Sequence, residues 1–413
     1  DRLDFQADLE PGSETMRIGQ LDLRSEKLSF TGAGQFTELG KLNDGDINSS
    51  PLFDLVMKSV KLDATPTFAQ ALDIKSVRAK GQADADSRKL TLDQFSADID
   101  GTVISTSGDI VWNTDNTPRT INLSGNSAGI LRPATVVKLW PVDAVKGARD
   151  WIARSVLSAD ITQADFRLNL GPDFFEDPQL TPERVSLDIT AQNATVQFME
   201  TMPPVSGVTG VGRISGNALS LNYTGGQIAG LSVERGTVSI PQLTPKGGDL
   251  ITTARGTGAA SDMLELLDRP PFGFATRYGV NPNDLAGQGV VEVEVTRPLL
   301  VNFDRNRITY AVGGDFVDAK APFQIGEYPI HNGRVRLDAD KSGMTLTGPV
   351  DIGPWSANLR WVETFGDDPP PTQYAVSGLI DAQTLDGFGI PSREFFAGTA
   401  ALVINATGRG MDV

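Results

Sequence analysis

The single histidine is the first residue to consider for catalysis. A Ser-His-Asp triad needs a histidine as its base, and His331 is the only one in the chain. It follows "EYPI" and precedes "NGRV", which reads as strand, turn and strand. No G-x-S-x-G elbow accompanies it. The sequence therefore predicts a turn histidine rather than a catalytic base.

One acidic stretch has the spacing of a calcium loop. "DADKSG" (Asp338–Gly343) matches the first half of an EF-hand loop, but its twelfth position is Pro349 instead of a bidentate glutamate. No helix-forming segments flank it, so we predict a hairpin turn. The glycine-rich 207–216 does not have the spacing of a nucleotide-binding loop. We expect no metal site and no cofactor.

Paired carboxylates are the remaining route to catalysis. The 52 acidic residues offer many pairs of the kind that glycosidases use. A parallel β-helix enzyme acting on glycans therefore stays open as an alternative, although no short coil repeat supports it.

The elements that would position these residues are strands, because the dominant hydrophobic period is two. "RVSLDITAQ" and "VVEVEVTR" alternate apolar and polar residues along their whole length. Such strands cover one face of an antiparallel sheet and leave the other in water. The residues predicted to line the apolar face are Val185, Leu187, Ile189, Val291, Val293, Val295, Val335, Leu337, Leu359, Leu402 and Ile404.

Helix signals are few and far apart. We predict helices in Ser50–Val60, where Ser50 is the N-cap and Pro51 the first helical residue, and in 131–156, Ala260–Arg269 and Asp381–Gly389. Within 131–156 the pattern favours a break at Pro141, with the second helix starting there. That helix reads as a plug or cap laid against an apolar sheet face.

Composition excludes several classes of function. The formal net charge of −16 and the absence of long basic runs argue against nucleic acid as a partner. The chain has no cysteine, which excludes disulfides and thiolate zinc sites. No apolar run approaches the ~20 residues that span a bilayer, and the first and last residues suggest a segment of a longer chain.

The stretch Leu131–Leu170 resembles the YhdP-type branch of the AsmA-like family. The matching residues are Trp140, Pro141, Arg149 and Trp151. The stretch "LSADIT" differs from the family, which has a glycine-containing sequence after this helix. Asn193–Leu243 is similar to the part of the family that follows. The resemblance extends to TamB-like envelope lipid-transport proteins and covers most of 131–410.

This resemblance implies a mainly β fold, with a long, twisted antiparallel sheet curled into an elongated open groove and a few short helical inserts. We expect β-groove segments at 1–130, 161–258 and 289–413, with helical inserts at 131–160 and 259–288, all forming one continuous unit.

The function implied is a non-enzymatic, bridge-like carrier that holds phospholipid acyl chains and moves them across the periplasm between the inner and outer membranes. An anchor outside this segment would attach it to the inner membrane of a Gram-negative-type bacterium, and outer-membrane or periplasmic proteins are further expected partners. The alternative is a periplasmic assembly factor for the outer membrane that carries no lipid.

Overall fold

The computed structural model describes residues 2–9, 13–41, 46–47, 49–143, 145–270, 273–277, 279–300, 303–366, 370–395 and 397–408. The chain forms two compact units. Unit 1 contains residues 1–196, 209–221 and 240–245, and unit 2 contains residues 197–208, 222–239 and 246–413.

Strands form most of the chain, as the period of two predicts. The strands up to the first unit boundary are β1 Arg2–Leu9, β2 Met16–Arg24, β3 Leu28–Thr37, β4 Gly40–Lys41, β5 Asp46–Ile47, β6 Leu52–Leu62, β7 Leu72–Asp84, β8 Lys89–Ile99, β9 Thr102–Trp112, β10 Pro118–Ala128, β11 Val156–Leu170 and β12 Val185–Val196. Those that follow are β13 Val205–Ser215, β14 Ala218–Thr224, β15 Gln227–Ile228, β16 Leu231–Ile240, β17 Asp249–Ala259, β18 Ala286–Pro298, β19 Thr309–Lys320, β20 Gln324–Ile325, β21 Tyr328–His331, β22 Gly333–Asp340, β23 Gly343–Ile352, β24 Trp355–Thr364, β25 Thr372–Asp381 and β26 Thr399–Gly408.

The strands follow one another in a meander. Twenty-four of them belong to one sheet, and β4 and β5 form a separate pair. The registers within the sheet are antiparallel, for example β6 with β7 and β17 with β18. The fold class predicted from the sequence, a long antiparallel sheet with few short helices, is confirmed. The parallel β-helix alternative is wrong, because a β-helix requires parallel pairing.

Tight turns let consecutive strands pair directly. Between β8 and β9, Asp100 and Gly101 both have positive φ, at 52° and 84°. Two such residues form the type I′ geometry, whose twist matches that of the flanking strands. The pairing therefore starts immediately at Ile99 and Thr102.

Helices are short and lie between strands. They are α1 Pro133–Leu139, α2 Lys146–Ser155, α3 Pro172–Glu176, α4 Ala260–Asp268, α5 Phe274–Arg277 and α6 Ala382–Gly387. The helices predicted in 131–156, Ala260–Arg269 and Asp381–Gly389 are confirmed. Among the described residues, no helix has the length and apolarity needed to cross a membrane.

The helix predicted at Ser50–Val60 is wrong, because this stretch forms β6. Ser50 and Pro51 precede the strand, and Leu52–Leu62 is hydrogen-bonded to β3 on one side and β7 on the other. Two complete ladders outweigh a local capping signal, since strand preference depends mainly on the neighbouring strands.

The break predicted at Pro141 is confirmed, but the predicted start of the second helix is not. Pro133 occupies the first helical position of α1, and Trp140 and Pro141 lie in the connection. The second helix starts only at Lys146, after Val145 in a left-handed conformation with φ 44°. The connection is held by a hydrogen bond from the Val142 N–H to the Thr67 carbonyl at 2.9 Å.

Fully buried apolar side chains gather in separate clusters. In unit 1, one cluster contains Val60, Leu72, Ile74, Val77, Ala97 and Ile99, and another contains Leu131, Ile161 and Ala164. In unit 2, the cluster contains Ile330, Val335, Val350, Ile352, Trp355, Ala357, Leu359, Val376, Ile380 and Leu385. We call this last cluster the unit 2 core. The division into groove segments and inserts remains a prediction.

Candidate functional site: the apolar faces of the sheet

The register of unit 1 aligns apolar residues from strand to strand. Val185 lies opposite Leu168, which lies opposite Leu123 on β10. Directly paired residues of an antiparallel ladder point to the same face, and alternate residues point to opposite faces. One face of this part of unit 1 is therefore apolar, and Arg167 and Ser186 lie on the other.

The predicted residues of β12 share this unit 1 apolar face. Leu187 pairs with Phe166, and Ile189 pairs with Ala164. Both Leu187 and Ile189 are partly buried and pack against the cluster around Ala164. Their placement on one face agrees with the alternation, and their contacts are with the protein's own core.

Unit 2 carries a similar face over more strands. One row of directly paired residues runs Gly256, Val291, Gly314, Leu337, Leu346, Trp361, Tyr374 and Ala406. A neighbouring row contains Ala254, Val293, Val312, Ala339 and Met344. All predicted residues of β18, β22, β24 and β26 lie on this unit 2 apolar face.

The predicted residues of this face differ in burial. Val335 and Leu359 belong to the fully buried unit 2 core. Val291, Val293, Val295 and Leu337 are half-buried. Leu402 is half-buried and packs against the core, whereas Ile404 is 43% exposed. The structure thus favours packing roles for Val335 and Leu359 and leaves the others accessible in part.

Strands β17 to β19 carry a part of the unit 2 apolar face that lies outside the unit 2 core, and α4 lies against β17 and β18. None of their large aliphatic side chains belongs to the unit 2 core, and Val293 lies between Ala254 and Val312 without reaching full burial. We call Val291, Val293 and Val295 the open valine row. It is an apolar surface that the described residues of the protein do not close.

The opposite face of the same strands is charged and paired. Arg255 bridges two carboxylates, with Nε 2.8 Å from Glu234 and an Nη nitrogen 2.7 Å from Glu292. These hydrogen bonds, the one to Glu292 first, hold the pKa of Arg255 above its usual value. Arg336 is paired in the same way with Asp315 and Asp338 at 2.9 Å. This face is solvated, so the two faces have different environments.

Helical inserts lie against parts of the unit 2 apolar face. Leu385 of α6 belongs to the unit 2 core, and Phe388 packs against it. The insert after β17 reaches further, because the ring of Phe274 on α5 lies 6.0 Å from that of Phe365, which follows β24. Contact between segments attached to β17 and β24 requires that the sheet of unit 2 bend between them.

The family-signature residues occupy the helical insert of unit 1. Trp140 and Pro141 lie between α1 and α2, and Arg149 and Trp151 lie on α2. Arg149 is largely buried and approaches Asp150 at 3.7 Å. Trp151 is 40% exposed. Leu139 of α1 packs against the cluster that contains Val60, and α2 lies against β11, so the cap formed by α2 stays a prediction.

Two charged residues of the unit 2 apolar face are absent from the predicted set. Glu363 is 6% exposed and accepts hydrogen bonds from the Thr372 hydroxyl at 2.6 Å and the Trp361 indole at 3.4 Å. Arg297 is half-buried and follows Val295 on the same face. Each lies two residues after an apolar residue of the same face, Trp361 for Glu363 and Val295 for Arg297. This spacing is the sequence signal that predicts their place on the face.

The turns predicted from the chemical motifs are confirmed. Asp338–Gly343 joins β22 to β23, and the Asp340 carboxylate accepts a hydrogen bond from the Ser342 N–H at 2.7 Å. His331 ends β21, with Nδ1 3.2 Å from the Asp351 carbonyl oxygen. Among the residues that the structure describes, no group of three acidic or histidine side chains could hold a metal ion.

A one-sided antiparallel sheet with a partly open apolar face defines a class of scaffold that can hold apolar chains. A family model described as "YhdP protein" matches residues 4–407. The chain belongs to this YhdP family, which confirms the resemblance seen in the sequence. Searches of curated proteins and of solved structures returned no match. Family membership indicates a role in the bacterial envelope, and the family is not known as enzymatic.

Proposed function

We propose that the protein binds phospholipid acyl chains on its apolar sheet faces and carries them across the periplasm between the inner and outer membranes. The observation that carries this proposal is the open valine row. These three valines at alternate positions of β18 have small partners on β17, and they offer an apolar surface that no described residue buries fully.

The energetics favour acyl chains as the occupant. Each buried CH₂ contributes about 0.8 kcal/mol, so binding needs no polar recognition along the row. Because Val291, Val293 and Val295 are alike, a chain shifted along them keeps nearly the same contacts. This property suits a carrier. The charged opposite face keeps the scaffold in water.

Crosslinking tests the proposal at two adjacent positions. A photo-crosslinking residue replaces Val293, and in a matched control it replaces Glu294, which the alternation puts on the charged face. The 413-residue chain is expressed in a Gram-negative host, irradiated and examined by mass spectrometry. We expect phospholipid adducts at position 293 and few at position 294.

The alternative function gives a different result. An assembly factor that carries no lipid would yield adducts with protein, or none, at both positions. Native mass spectrometry of the unmodified chain provides a second measurement, because a carrier should retain phospholipid through purification. Absence of lipid in both measurements would refute the carrier and favour the assembly factor.

A further inference from the structure

Arg297 is the exception to the charge pattern of unit 2. The register of β18 is continuous from Gln288 to Pro298, so Arg297 shares its face with the open valine row. It lies opposite Leu250 of β17. On the opposite face, Arg255 and Arg336 each have carboxylate partners. For Arg297, the described residues provide neither a carboxylate nor a hydrogen-bond acceptor.

The side chain of Arg297 is partly buried and lies against an aromatic ring. The guanidinium carbon lies 6.0 Å from the centre of the Phe303 ring, a cation–π contact. Burial lowers the pKa of Arg297, and no neighbouring charge opposes that shift. An arginine that keeps its stem along an apolar surface and its head at the end of that surface has the arrangement found at membrane interfaces.

We propose that Arg297 binds the phosphate of a phospholipid whose acyl chains lie along Val295, Val293 and Val291. The guanidinium presents a planar fork of donors that matches two phosphate oxygens. This inference rests on the proposed lipid-carrying function and adds to it a headgroup site and a fixed direction of the lipid on β18.

The dimensions agree with one acyl chain. A bilayer core of about 30 Å contains two chain lengths, so one chain extends about 15 Å. Strand residues advance by about 3.4 Å, and the four steps from Arg297 to Val293 therefore span about 14 Å. A phosphate at Arg297 places the chain ends near Val293 and Val291.

Binding of two lipids with the same chains tests the role of the phosphate. The purified chain is equilibrated with vesicles containing dioleoylphosphatidylcholine or with dioleoylglycerol, and bound lipid is quantified by mass spectrometry. We expect Arg297→Gln to reduce phosphatidylcholine binding by about ten-fold, the order expected for a charge-assisted hydrogen bond, and to leave dioleoylglycerol binding unchanged. Arg297→Lys should retain part of the binding.

A matched variant controls for net charge. Arg334 is an exposed arginine on β22 whose alternation puts it on the opposite face from Val335. Arg334→Gln removes the same charge and should change neither lipid's binding. Circular dichroism of each variant verifies the fold.

The outcomes separate this inference from the proposed function. If the unmodified chain binds neither lipid, the carrier function itself fails. If it binds both and Arg297→Gln changes nothing, the carrier stands and the phosphate site is wrong. If glycerophosphocholine, which lacks acyl chains, competes as strongly as the whole lipid, the site binds free phosphate esters and the proposed lipid direction is also wrong.

Discussion

Replacing one of two valines of unit 2 by aspartate, each in a separate variant, distinguishes an open apolar face from a core. Val293 is half-buried in the open valine row, and Val350 is 5% exposed in the unit 2 core. Full burial of a valine contributes about 1.5 kcal/mol or more, and Val293 buries the larger part of its side chain, so Val293→Asp loses roughly 1–1.5 kcal/mol of this contribution. The new carboxylate remains in contact with water, and the chain should stay folded.

The same change at Val350 should be far more costly. A carboxylate in the unit 2 core has no cation among the described neighbours, and its desolvation adds several kcal/mol to the lost apolar contact. This sum is comparable to the total stability of a typical domain, about 5–15 kcal/mol. We therefore expect Val350→Asp to unfold unit 2 and Val293→Asp to preserve it.

Lipid binding should respond in the opposite sense. In Val293→Asp, about four CH₂ groups of a bound chain would lose contact, at about 0.8 kcal/mol each, or about 200-fold in Kd. Urea unfolding followed by circular dichroism measures stability, and binding of a fluorescent phospholipid measures affinity. Unfolding of Val293→Asp would show that Val293 is core, and unchanged affinity in a folded variant would refute the lipid-binding face.

Three further predictions concern side chains with different partners. Thr372→Val removes the 2.6 Å hydrogen bond to the buried Glu363 and should lower the free energy of unfolding by about 1.5–3 kcal/mol, whereas Thr372→Ser keeps the hydroxyl and should lose only about 0.8 kcal/mol for one buried methyl group; equal urea midpoints of the two variants would contradict this. Trp151→Ala should lower the free energy of unfolding by about 2 kcal/mol because more than half of this large side chain is buried, and unchanged stability would show that it does not pack. The Ser356 hydroxyl, followed by the Asn332 amide, holds the pKa of Asp351 below its usual value, so its stabilising contribution is present above about pH 4 and lost as pH falls through the lower folded value. Asp351→Asn should therefore weaken the acid dependence of the urea midpoint between pH 5 and pH 2, and an unchanged dependence would exclude this carboxylate as a source.

The period of two was sufficient to predict strands and their faces. Val291, Val293 and Val295 share a face because each is two residues from the next, and no bulge interrupts the register between them. The same rule applied to the whole of "VVEVEVTR" includes Arg297. A selection of apolar residues alone leaves Arg297 out. A charged residue in an apolar row nevertheless indicates more about function than another valine does.

Other features depend on contacts that a local pattern does not contain. Ser50 and Pro51 have the residue types of a helix start, but pairing of β6 with β3 and β7 determines the structure. The alternation of apolar and polar residues predicts the same environment for Val335 and Val293. Their difference in burial depends on which segment lies over each of them.

Helical cover accounts for where these faces become cores. In unit 2, Leu385 of α6 is part of the cluster that buries Ile352 and Trp355, and in unit 1 Leu139 of α1 packs on the cluster around Val60. An apolar sheet face loses contact with water only under a second layer. The open valine row belongs to no such cluster, and the part of its apolar area that stays exposed is available to a ligand. A scaffold of this kind can stay folded through its covered clusters while ligands bind to the open valine row and leave it.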